Sequence, residues 1–135
     1  MEITNNRMAN ILIVDDDILI AESNKFIIRR AGYNTAGIAV DGKEAIELTK
    51  EKKPDVILMD INLSGTMDGI TAAEEIKKIA DIPIIFVTAY TDSATKERAK
   101  KVRPSGYLVK PFDRRALEEL IYNVLRKTSA DLAGT

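Results

Sequence analysis

Acidic residues stand at the ends of two apolar runs in this sequence: Asp15-Asp16-Asp17 follows Ile11–Val14, and Asp60 follows Val56–Met59. Two other runs end on a hydroxyl and an ammonium, with Thr88-Ala89 after Ile84–Val87 and Lys110-Pro111-Phe112 after Tyr107–Val109. A lone aspartate at such a place is ordinarily a cap for the helix that follows, and Asp17 is read that way. For Asp15, Asp16 and Asp60 together the capping reading weakens, because packed like charges raise each other's pKa and cost stability. A cluster of hard oxygen ligands suits Mg2+, which takes one or two carboxylates, keeps several waters and favours a phosphate as co-ligand. A hydroxyl and a compact cation beside a metal-bound carboxylate offer a phosphoryl group a donor for one oxygen and a positive charge for another. Taken singly, Thr88 reads as a β-branched strand residue and Lys110 as a solvated loop lysine. The proline after Lys110 restricts the backbone there, and the bond between them is open to either isomer.

The rest of the composition narrows the chemistry. The chain has 135 residues with neither cysteine nor histidine. That excludes zinc fingers, cysteine nucleophiles, Ser–His–Asp triads and any mechanism using a protein imidazole. The length fits one domain able to fold without disulfides or a structural metal. Twenty basic against 21 acidic side chains give a net charge of −1, so overall charge does not argue for nucleic acid or membrane as a partner. No apolar run approaches the ~20 residues of a membrane span, and Met1–Arg7 has no signal-peptide core, so the cytoplasm is the expected location.

The elements that must position these residues alternate along the chain. Apolar runs at Asn10–Val14, Asn34–Val40, Val56–Met59, Ile84–Thr88 and Tyr107–Val109 read as strands, three of them apolar on both faces. Between and after them come candidate helices near Ile18–Ala31, Gly42–Lys52, Gly69–Ala80, Asp92–Lys101 and Arg114–Lys127. In the last of these, Leu117, Leu120, Ile121, Val124 and Leu125 form one buried stripe behind an Asp113 N-cap, and Gly32 reads as the stop of the first. This alternation predicts an α/β fold: a doubly wound (βα)5 unit whose five-stranded parallel sheet has the order 2-1-3-4-5, with helices on both faces. In such a sheet ligands bind outside the carboxyl ends of the strands, at the switch point between strands one and three, where the aspartates fall. Residues 1–8 are expected to form a loose extension, 9–127 the domain, and 128–135 a tail or the start of a linker.

The ordered set Asp15-Asp16, Asp60, Thr88-Ala89 and Gly106-Tyr107-Leu108-Val109-Lys110-Pro111-Phe112 closely resembles the receiver (phosphoacceptor) domain of two-component response regulators, the CheY-like superfamily of flavodoxin-like fold. The resemblance runs from about Ala9 to Lys127. It implies that Asp60 is the phosphoacceptor, taking a phosphoryl group from a phosphohistidine on a sensor histidine kinase or a histidine phosphotransfer protein. It implies Asp16 and Asp60 as direct Mg2+ ligands (Mn2+ substituting), the backbone carbonyl of Asn62 as a third, and Asp15 acting largely through water. Lys110 would pair with the phosphoryl oxygens, Thr88 would hydrogen-bond to one of them, and Tyr107 would turn inward as the switch when Thr88 shifts. A carboxylate nucleophile fits a chain without histidine, since it needs no base to ionise it at pH 7. Two features depart from the family's usual pattern. Ser64 stands where proline is common, and Asp68-Gly69 comes one residue late, as if the loop carried an insertion. Tyr90 and Asn62 flank the expected phosphorylation site, and the bulk of Tyr90 is expected to slow attack by water and so modulate dephosphorylation.

Such a domain is a signalling module rather than an enzyme; it catalyses only its own phosphorylation and dephosphorylation and then controls an unknown downstream protein. The stretch containing Lys96, Arg98, Lys100, Lys101, Arg103, Lys110, Arg114 and Arg115 reads either as solvated helix surface or as a basic docking face, with a homodimer through the same face among its uses. The fourth helix has only Ala94, Ala99 and Val102 as apolar anchors and is expected to be loosely held. Three other readings fit less well. An aspartate-nucleophile phosphatase of the haloacid-dehalogenase kind needs a second aspartate where Asn62 stands. An FMN carrier needs a Ser/Thr/Gly-rich phosphate loop where Asp15-Asp16-Asp17 stands. A receiver-like module acting unphosphorylated is at odds with the complete set of five residues.

Overall fold

The computed structural model describes residues 9–89 and 92–133. Five strands, β1 (Asn10–Val14), β2 (Asn34–Ala39), β3 (Val56–Asp60), β4 (Ile84–Thr88) and β5 (Gly106–Val109), alternate with five helices, α1 (Ile18–Arg30), α2 (Gly42–Lys52), α3 (Gly69–Ile79), α4 (Ser93–Lys101) and α5 (Arg114–Ala133). The strands are parallel and ordered β2-β1-β3-β4-β5, as the sequence predicts.

The reason lies in the two-residue period of a strand. Leu12, Val14, Ile57, Met59, Ile84 and Phe86 point to one face, where they meet Ala45 of α2, Ile70, Ala73 and Ile76 of α3, and Ala99 of α4. Ile11, Ile13, Val56, Leu58, Ile85 and Val87 point to the other, against Ala21 and Ile28 of α1 and Leu117, Ile121 and Val124 of α5. The central strands β3 and β4 are buried along their whole length, and β1 nearly so, whereas β2 and β5 at the edges are only partly covered.

Aspartates start the helices. Asp17, Asp41, Asp68 and Asp92 are the N-caps of α1 to α4, and the Ala116 N–H donates to Asp113 Oδ1 at 2.8 Å at the start of α5. Helix α1 stops in a Schellman arrangement: Gly32 takes φ +100°, its N–H donates to the Arg29 carbonyl at 3.0 Å, and the Tyr33 N–H donates to the Ile28 carbonyl at 3.2 Å. Boundaries of β2, β5, α1, α3 and α4 shift by one residue from the sequence reading, and two further differences matter more. Strand β3 includes Asp60 itself, and α5 continues past Lys127 to Ala133. Ala99 of α4 and Val102 at its C-cap are buried as expected, but Ala94 is exposed.

Candidate functional site

The strand register builds the site. Val14 of β1 lies beside Met59 of β3, so Asp15 and Asp60 emerge next to one another. Asp60 pairs in turn with Val87, and Thr88 with Val109, which puts Thr88 and Lys110 on the same carboxyl edge. Backbone bonds continue the ladder past the strand ends: the Ile61 N–H donates to the Val87 carbonyl at 3.0 Å and the Lys110 N–H to the Thr88 carbonyl at 2.8 Å.

Asp15, Asp16 and Asp60 each bring a carboxylate oxygen to a spot where all three lie within 4.8 Å of one another. Asp15 and Asp60 are buried, at 3% and 5% exposure, and Asp16 is exposed. Each is oriented by a backbone N–H: Asp17 donates to Asp15 Oδ1 at 2.9 Å, Asn62 to Asp60 Oδ1 at 3.0 Å, and Ser64 to Asp16 Oδ2 at 3.0 Å. Lys110 Nζ donates to Asp60 Oδ2 at 3.4 Å across the edge of the sheet. The Lys110–Pro111 bond is cis.

Burial is the largest influence on both buried carboxyls and pushes each above its ordinary pKa. For Asp15 the Asp17 N–H and Lys110 oppose it, while Asp60 and Asp16 add to it. For Asp60 the Asn62 N–H and Lys110 oppose it, and Asp16 adds to it. An all-oxygen donor set of this spread, open to solvent on the Asp16 side, fits a small hard cation that keeps some of its waters.

Thr88 is buried at 1% exposure. A cavity of about 270 Å3 opens beside it, lined also by Ile61, Thr95, Ala99, Tyr107 and Val109. Tyr107 is 41% exposed, its ring 6.2 Å from that of Phe86. Asp17 is the helix cap that the sequence suggests and accepts from Leu19 and Ile20. Tyr90 lies outside the described residues.

Two contributions had no local signal, and a third, Gly69, stood out in the Asp68-Gly69 pair without showing what it packs against. The Ser64 N–H reaches Asp16 from the loop after Asp60. Gly69 packs so closely on the end of β3 that a Cβ there would run into the Asp60 carbonyl oxygen and lie 2.8 Å from Ile61 Cα. Arg98, read as part of a basic surface, pairs with Asp68 at 2.9 Å. Ser64 and Arg98 reach partners 48 and 30 positions away, and Gly69 meets Asp60 across the loop between β3 and α3, where no spacing rule operates.

A family model described as the response regulator receiver domain matches residues 11–122. The transcriptional regulatory protein PdtaR of Mycobacterium tuberculosis is 40% identical over 102 residues, which are 76% of this chain and 49% of that protein. The chemotaxis protein CheY of Thermotoga maritima is 40% identical over 115 residues, 84% of this chain and 95% of that protein. A solved CheY-like receiver domain protein from Methanospirillum hungatei superposes with a TM-score of 0.87 at 29% identity, covering 92% of this chain and 98% of that one. The chain spans about half the length of several curated relatives it matches, PdtaR among them, and nearly all of the Thermotoga protein.

Proposed function

The chain belongs to the response regulator receiver domains of two-component systems, and from that premise we propose that Asp60 is its phosphoacceptor. The domain is a signalling module rather than a typical enzyme, and the family match does not favour the phosphatase, flavin-carrier or unphosphorylated-module readings. The observation that carries the proposal is the convergence of Asp15, Asp16 and Asp60, with Lys110 already donating to Asp60.

In the proposed reaction an Asp60 carboxylate oxygen attacks phosphorus. The P–N bond of a phosphohistidine breaks, an aspartyl phosphate forms, and the freed imidazole takes a proton. Transfer of this kind passes through a loose transition state, so the protein's part is alignment and charge neutralisation. The Asn62 N–H on Oδ1 fixes the rotation of the Asp60 carboxylate, leaving Oδ2 toward Lys110. Lys110 then moves its charge from the carboxylate to the arriving phosphoryl oxygens, and the Thr88 hydroxyl serves another of them. Mg2+, with Mn2+ as a substitute, would be held by Asp16, Asp60 and the Asn62 carbonyl, with Asp15 acting through water, and when bound it neutralises phosphoryl charge.

Receiver domains interact with histidine kinases and downstream effectors. The proposal for this chain is a sensor histidine kinase or a histidine phosphotransfer protein as donor, in the cytoplasm, and a downstream protein reached through α4, β5 and α5. The same face would serve a homodimer. The cavity beside Thr88 supports an inward turn of Tyr107 as the switch, and Tyr90 retains its proposed role of hindering water.

Incubation with acetyl phosphate and Mg2+ tests the core of this reading. Intact mass is expected to rise by one phosphoryl group, and Asp60→Asn to abolish the gain; an equal gain in the variant overturns the assignment. In the same assay Tyr90→Ala is expected to shorten the lifetime of the modified species.

A further inference from the structure

Helix α4 is the least anchored of the first four helices. Of Ser93–Lys101 only Ala99 is buried, with Val102 at the C-cap, whereas α1, α2 and α3 each bury at least three residues. Its basic side chains are not equivalent. Lys100 pairs with Glu97 inside the same helix, which ties α4 to nothing else. Arg98 reaches out of the helix: Nη1 donates to Asp68 Oδ2 at 2.9 Å, and Nη2 donates to Asp68 Oδ1 at 3.3 Å and to Thr71 Oγ1 at 3.4 Å. Among the described residues, only this ion pair and Lys110–Asp60 join separate parts of the fold, and both end on the segment between Asp60 and α3.

Asp68 is a fixed point. It caps α3 by accepting from the Thr71 N–H at 2.8 Å. Its neighbour Gly69 donates its N–H to the Ile61 carbonyl at 2.8 Å and sits against the Asp60 carbonyl. The corner holding Arg98 is therefore seated on the backbone of Asp60. We infer that Arg98 is a positioning residue that tethers α4 to the Asp68-Gly69 corner, so that movement of the loop after Asp60 and movement of α4 are coupled. This rests on Asp60 being the phosphoacceptor and adds a second connection to the one through Thr88.

A half-exposed ion pair is ordinarily a weak contributor. Here it is forked, it adds a hydroxyl, and it acts on a helix with little apolar burial to compete with it. The lowered pKa of Asp68 agrees: burial pushes the carboxyl up, and the hydrogen bonds from Arg98 and Thr71 together with the Arg98 charge more than reverse it. The cavity beside Ala99 leaves α4 room to shift when the tether moves.

The test is hydrogen exchange of the α4 amides in the whole chain, for wild type, Arg98→Gln, Asp68→Asn (which keeps a capping oxygen) and the double variant. Each is measured in Mg2+ with and without beryllofluoride, and bound fluoride is read separately by 19F NMR. Each single variant is expected to speed α4 exchange about two- to five-fold, with no further gain in the double. Where 19F NMR shows beryllofluoride bound, the change it causes in α4 exchange is expected to shrink at least two-fold in Arg98→Gln. Additive single effects, or an undiminished α4 response in loaded Arg98→Gln, would overturn the tether. Absence of any bound beryllofluoride in wild type would instead count against the phosphoacceptor reading, and the unloaded double-mutant cycle would still decide for or against the tether.

Discussion

Asp15 and Asp60 carry their charges where the surroundings favour the neutral form, and burial contributes more to this than their mutual repulsion. A carboxyl whose folded pKa lies above its unfolded value binds its proton more tightly in the folded state. Its cost is fully present above the raised folded value and is relieved as pH falls through it. Replacing Asp15 by Asn removes one of these charges while keeping an oxygen for the Asp17 N–H. In metal-free buffer at pH 7, Asp15→Asn is expected to raise Tm by about 2–5 °C, and to lose that advantage on acidification, as calorimetry would show. A Tm below that of wild type at pH 7 would mean that Lys110 and the Asp17 N–H already offset the burial of Asp15. The same balance explains why the pocket suits a cation: a divalent ion turns a local cost into a binding energy.

Among the elements, the β3–α3 connection carries the most consequence. It orients Asp60 through the Asn62 N–H, Asp16 through the Ser64 N–H, and α4 through Asp68. Its geometry depends on Gly69, where any side chain meets backbone that cannot swing away. Gly69→Ala is expected to destabilise the protein by ~1–3 kcal/mol in chemical denaturation and to shift the amide resonances of Asn62 and Ser64. Gly42 is the control, since the atoms nearest a Cβ there all belong to the side chain of Met67, which can turn aside. Gly42→Ala should be close to neutral, and equal costs at the two positions would show that the close approach to Asp60 is not what Gly69 provides.

For the whole molecule, a ligand that binds only the folded state raises stability by mass action. At 100 times its dissociation constant Mg2+ is expected to stabilise the domain by about 2.7 kcal/mol, lifting Tm by roughly 10 °C, and Asp16→Ala is expected to abolish the rise. Thermal scans over a Mg2+ series check this; a full rise in the variant would remove Asp16 from the ligand set. Among the described residues no helix is long and apolar enough to cross a membrane. The sheet instead divides its side chains between two helical layers, and the carboxyl edge between them is left for polar chemistry.

The amino-acid sequence determined the strands, the helices and the order of the sheet, because periodicity and capping are local: Ile, Val and Leu on both faces of Val56–Met59 require a covered strand, and Asp113 before an apolar stripe starts a helix. It also supplied the chemical types of the site, since Asp60 and Thr88 end their strands and Asp15 and Lys110 directly follow theirs. Tertiary structure alone decided what joins these pieces. The hold of the Ser64 N–H on Asp16, the seat of Gly69 on the Asp60 backbone and the reach of Arg98 to Asp68 depend on loops and faces meeting in space. Such contacts leave no period in the chain, because their partners are brought together by the burial of the sheet and not by their distance along it.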